Sequence, residues 1–85
     1  MPSFEFSAHA KEMFTERSIP EEWVWHTVNS PDNVEQGDDG NMHYTKAIEE
    51  NEGRVLHVVV NQKAQPHRIV TVFFDRRLRK KKHEN

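Results

Sequence analysis

Two hydrophobic periods divide the chain. Up to about residue 29 the apolar residues recur at helical spacings of three and four, and from Val34 onward the spacing drops to two. Phe4-Glu5-Phe6 alternates before Ser7, a pattern that predicts a short strand followed by a helix N-cap. Residues 8–16 contain neither Gly nor Pro, so the first helix is expected over about 8–17. On a wheel of 3.6 residues per turn, Phe6, Ala10, Met13, Phe14 and Arg17 fall within an arc of about 100°, which puts a cation in an apolar stripe. A guanidinium keeps its proton and is rarely buried alone, so Arg17 must meet a carboxylate, find several carbonyls or open onto a polar cleft. His9 lies about 40° beyond the edge of the same stripe, on the first turn.

Pro20 stops the first helix and suits the start of a second. Glu21 and Glu22 sit favourably at the positive end of the dipole, and Ser18 with Glu21 has capping-box spacing. Trp23, Val24, Thr27 and Val28 share one side and Trp25 the other, so Trp23 is the expected core residue, and Trp25 is either more exposed or marks a contact. Ser30-Pro31-Asp32 is a turn sequence that ends the helix near Asn29. Four period-two segments follow, at 33–36, 42–48, 54–60 and 68–74, separated by short polar turns that imply an antiparallel meander. The last two are apolar on both faces and belong at the middle of the sheet or under cover on both sides. The expected fold class is α+β: a short N-terminal strand, two helices, then an antiparallel meander of three to four strands, with the helices packed on one sheet.

Length and charge sharpen this picture. Eighty-five residues make one small domain of modest stability, taken here as residues 1–75 followed by a basic tail at 76–85. The absence of cysteine excludes disulfides, thiol nucleophiles and thiolate metal sites. No apolar run is long enough to span a membrane and the first residues lack signal-peptide character, so a cytoplasmic location without membrane contact is expected. The net charge of −2 hides an asymmetry: residues 1–75 hold six basic against thirteen acidic residues, or −7, and residues 76–85 hold six against one, or +5. Arg76, Arg77, Arg79, Lys80, Lys81 and Lys82 are therefore candidates for contact with an RNA phosphate backbone, although no aromatic among them could stack on bases. The plainer role is a solvated end that keeps the chain soluble or folds onto the acidic body. The six histidines include no pair at i, i+2 or i, i+4, and the glycines at 37, 40 and 53 lie in acidic turns, so neither a metal nor a nucleotide cofactor is expected.

The pattern Ser7-x-His9-Ala10-x-x-Met13-x-x-x-Arg17-x-Ile19, with Glu22-x-Val24, Ser30-Pro31-Asp32, Val58-Val59-Val60 and Ile69-Val70-Thr71-Val72-Phe73, resembles DUF4258, a bacterial domain family of unknown function. The resemblance reaches nearly to Asp75 and leaves the basic tail outside. Two positions depart from it: Ser18 stands where the family usually has Gly, and Pro20 where it has Ser or Thr. His9, Arg17 and Thr71 conform. The layout implied by the resemblance is similar to that of RelE-type toxins, the small endoribonucleases of toxin-antitoxin systems, and fold likeness alone does not fix function.

RNA cleavage without metal needs a base for the ribose hydroxyl, a cation for the phosphate and an acid for the leaving oxygen. His9 suits the base or acid, Arg17 a bidentate hold on phosphate, and Thr71, the polar residue in an apolar strand, an added hydroxyl donor. Tyr44, Lys46, Arg54 and His57 are secondary candidates, with His57 readable as no more than an outward strand residue. The resulting expectation is an endoribonuclease or RNA-binding component of a toxin-antitoxin-like system, partnered by RNA and by an antitoxin-like or other protein. The alternative is a noncatalytic interaction module in which His9, Arg17 and Thr71 form a structural network.

Overall fold

Strand β1 (Phe4–Phe6) leads into helix α1 (Ala8–Glu16) and helix α2 (Glu21–Asn29), and four strands follow: β2 (Asn33–Gln36), β3 (Met42–Ile48), β4 (Arg54–Asn61) and β5 (His67–Arg79). A single 3-10 turn, Glu49–Asn51, joins β3 to β4. These elements come from a computed structural model that describes residues 3–79. Ser7 caps α1 as its sequence suggests, its Oγ accepting from the Ala10 amide at 3.0 Å.

The turn between the helices differs from the capping-box expectation. Ser18 adopts a left-handed conformation with φ of 55°, and the Ile19 amide reaches back to the Phe14 carbonyl at 2.8 Å. Glycine would suit this geometry better because it has no Cβ to crowd the carbonyl. Pro20 takes the N-cap position without a side-chain bond, leaving Glu21 and Glu22 to complement the dipole.

The sheet has the order β1-β5-β4-β3-β2. Strands β2 to β5 form the expected antiparallel meander, and β1 adds parallel to β5 with Phe4 opposite His67 and Phe6 opposite Ile69. Both helices pack on one face over a core that includes Leu56, Val58 and Val60 from β4, Ile69 and Val72 from β5, and Ala10 and Val24 from the helices. Trp25 takes the second of its two expected roles, a contact: it meets Phe6 at 5.0 Å between ring centroids and donates its indole N–H to Glu21, while Trp23 packs edge-on to Phe74.

Two irregularities in the β4–β5 ladder set the faces. Val60 pairs with Ile69 but Val59 with Thr71, so Val70 is an extra residue, after which Thr71 and Phe73 turn to the face opposite Val72 and Phe74. Near the end, Leu56 pairs with Phe74 and Arg54 with Arg79, so the residues from Asp75 to Leu78 bow outward. The last strand thus continues beyond Phe74, and Arg76, Arg77 and Arg79 belong to β5. No helix among the described residues is long and apolar enough to cross a membrane.

Candidate functional site

Because β1 ends at Phe6, the outer edge of β5 beyond Ile69 is left without a strand neighbour among the described residues, and α1 runs along it. The Ser7 amide donates to the Ile69 carbonyl at 2.9 Å, the Ser7 hydroxyl to Val70 at 3.2 Å and the Arg17 Nη1 to Val72 at 3.1 Å. The two cap residues of α1 thereby satisfy an edge that would otherwise invite another strand. His9, Met13 and Arg17, spaced by four, align along the helix toward this edge.

Between α1 and the edge opens a cleft of about 790 Å³. Its walls are His9, Met13 and Arg17 from α1, Arg54 and Val55 from β4, and Thr71, Phe73, Phe74, Asp75 and Arg76 from β5. All three residues singled out on chemical grounds, His9, Arg17 and Thr71, therefore line one cleft. His9 and Arg17 are exposed and Thr71 is half-buried. The cation in the apolar stripe of α1 is accommodated by one strand carbonyl and by the cleft itself.

The other candidates separate. Arg54 and Arg76 join the cleft. Tyr44 lies edge-on to Phe4 against the core, and Lys46 is spent on the Ser30 carbonyl at 2.8 Å beside Asp32. Arg77 folds back on Asp75 through Nε at 3.1 Å and Nη2 at 3.2 Å, and Arg79 closes the ladder opposite Arg54. Lys80, Lys81 and Lys82 lie outside the described residues.

His57 corrects the sequence reading: it is buried rather than an outward strand residue, only 8% exposed. Its Nδ1 lies 3.0 Å from Asp75 Oδ2 and its Nε2 2.7 Å from His43 Nδ1, and His43 Nε2 lies 3.2 Å from Asp39 Oδ1. The two bonds from Arg77, followed by the one from His57 and the Arg77 amide, hold the Asp75 carboxyl down at about 2 although burial opposes this. Asp39 is lowered by the Asn41 amide and then by His43. Hydrophobic patterning missed this chain because its members come from a turn and three register positions. Among the described residues no group of three or more His, Cys, Asp or Glu side chains is arranged to hold a metal ion.

No match is found among curated proteins or among solved structures. A family model does match, over residues 6–74, which takes in both helices, the cleft's His9, Arg17 and Thr71, and β5 as far as Phe74. The chain belongs to the family described as a domain of unknown function, DUF4258.

Proposed function

We propose that the chain binds RNA in the cleft between α1 and β5 and cleaves it without a metal ion, in the manner of the small endoribonucleases that the sequence resemblance implies. The observation that carries this reading is the convergence of His9, Arg17 and Thr71 with Arg54 and Arg76 on one cleft. Three guanidiniums suit a phosphodiester and the charge that gathers on it during displacement. His9 takes the proton of the ribose 2′-hydroxyl, the 2′-oxygen attacks phosphorus, and the bond to the 5′-oxygen breaks to leave a cyclic phosphate. The departing 5′-oxygen takes its proton from solvent. Asp75 is unsuited to supply it, because Arg77 and His57 keep that carboxyl ionised. Thr71 adds a hydroxyl donor to the phosphate.

The bond from Arg17 to the Val72 carbonyl favours a second reading, in which α1 only seals the sheet edge and the protein is a noncatalytic module. Incubation of RNA with the purified chain at low salt without divalent metal separates the two, run beside His9→Ala and Arg17→Ala with folding followed by circular dichroism. Cleavage by the wild type and its loss in both folded variants supports the nuclease. Absence of cleavage, or equal cleavage by the variants, removes it.

A further inference from the structure

Seven of the eight aromatic side chains pack against the helix-side core, and Phe73 is the exception. The extra residue at Val70 turns it to the opposite face, where it forms part of the cleft wall between Thr71 and Asp75. One side of its ring lies on the imidazole of His57, with centroids 4.7 Å apart and planes 20° from parallel. His57 cannot readily turn, because both ring nitrogens are engaged, by Asp75 at 3.0 Å and His43 at 2.7 Å. Phe73 is therefore a flat ring backed by a second, pinned ring, half-buried and bordering a cleft that contains three guanidiniums.

We infer that Phe73 is a stacking platform for an unpaired nucleobase, so that the cleft takes single-stranded RNA with a phosphate on its guanidiniums and the neighbouring base on this ring. The assignment rests on the nuclease reading for the nature of the ligand and adds its strandedness. Stacking on aromatic side chains is the common way a protein holds an unpaired base, and it is closed to a base enclosed in a duplex, which offers only its edges. The charge agrees: Asp75, the one acidic residue among the described residues of the cleft wall, is paired with Arg77, leaving Arg17, Arg54 and Arg76 to attract the backbone. His43, His57 and Asp75 are positioning residues for the platform.

The test is binding by the full chain, measured by fluorescence anisotropy with a labelled single-stranded 2′-O-methyl RNA that cannot be cut. An abasic strand of equal length and a duplex serve as comparisons, and both Phe73→Leu and Phe73→Trp are assayed. The wild type is expected to prefer the single strand over the other two, and Phe73→Leu to lose roughly tenfold in affinity for the single strand while binding the abasic strand unchanged. Phe73→Trp should retain binding, and its added indole fluorescence should be quenched by the single strand and not by the abasic one, a readout that stands even where the leucine variant folds poorly. Equal wild-type affinity for single and abasic strands with no effect of Phe73→Leu overturns the platform and leaves the phosphate cleft standing. Failure of the wild type to bind any of the three overturns both.

Discussion

His43 Nδ1 and His57 Nε2 lie 2.7 Å apart, joining β3 to β4 on the sheet face opposite the helices. One proton bridges such a contact, and a proton on both nitrogens would set two donors against each other. Along Asp39, His43, His57 and Asp75 there are three contacts, whereas two neutral imidazoles bring two N–H groups. The tautomers of the two rings therefore decide which of these contacts carry a proton.

Gly37 makes room for this arrangement. A Cβ added there would fall on His43 Nε2 and 2.8 Å from Asp39 Oδ1, whereas one added at Gly40 would meet nothing within 4 Å. Gly40 is constrained by its φ of +83° alone. Gly37→Ala should cost about 1–3 kcal/mol by displacing the His43 ring. Gly40→Ala should cost about 1–2 kcal/mol through backbone strain while leaving the ring in place. The nitrogen-15 coupling across the His43–His57 hydrogen bond reads the difference: it should be seen in the wild type and in Gly40→Ala and be lost in Gly37→Ala.

The cleft was legible in the sequence where its chemistry coincided with a period. His9 and Arg17 are two of three residues at intervals of four, and Thr71 interrupts an apolar run, so each stood out without knowledge of contacts. The histidine chain had no such signal. His43 and His57 meet diagonally, because the register sets Thr45 opposite His57 and His43 opposite Val59, and only the turn geometry fixes that register. The role of Phe73 was equally hidden, since the extra residue at Val70 reverses which of Phe73 and Phe74 faces the helices relative to Ile69. β1 was legible as a strand, but its parallel pairing with β5 depends on where two helices return the chain.

Asp75 gives the fold an acid-sensitive joint. The residue is 4% exposed and its carboxyl is held at about 2 by Arg77 and His57, below the 3.8 of an unconstrained aspartate. Stability from this depression is complete above the unfolded value and is lost as pH falls through the folded one, a window of roughly pH 4 to 2. The shift is equivalent to about 1–2 kcal/mol after allowance for the exposure of Arg77. Asp75→Asn should be less stable than the wild type by about that amount at neutral pH, and the difference should narrow below pH 4. Urea unfolding at a series of pH values measures both.

Ser18 is a local departure with a definite direction. Its φ of 55° is a conformation that L residues adopt at a cost of about 1–2 kcal/mol and glycine adopts freely. Part of that gain is offset because glycine makes the unfolded chain more flexible. Ser18→Gly should therefore raise stability by about 0.5–1 kcal/mol without changing RNA binding, since residue 18 is not among those lining the cleft. Thermal unfolding reads the first effect and anisotropy with single-stranded RNA the second. A fall in stability would mean that the serine hydroxyl supports the inter-helix turn.

Arg76 and Arg77 are neighbours in sequence with opposite assignments. Arg76 lines the cleft, whereas Arg77 gives Nε, Nη2 and its backbone amide to Asp75. A cation that contacts phosphate releases a counterion on binding, so its removal lowers the salt dependence of affinity as well as affinity itself; the slope changes by about 0.7 per contact for a single strand. Arg76→Ala should weaken binding of single-stranded RNA and reduce the slope of log affinity against log salt by about that much. Arg77→Ala should leave the slope within error of the wild type while lowering stability, because it uncovers Asp75 rather than a phosphate. Anisotropy titrations at several salt concentrations, paired with urea unfolding, distinguish the two. Equal loss of slope in both variants would place Arg77 on the RNA as well and would assign the bowed segment of β5 as a whole, rather than Arg76 alone, to the phosphate contact.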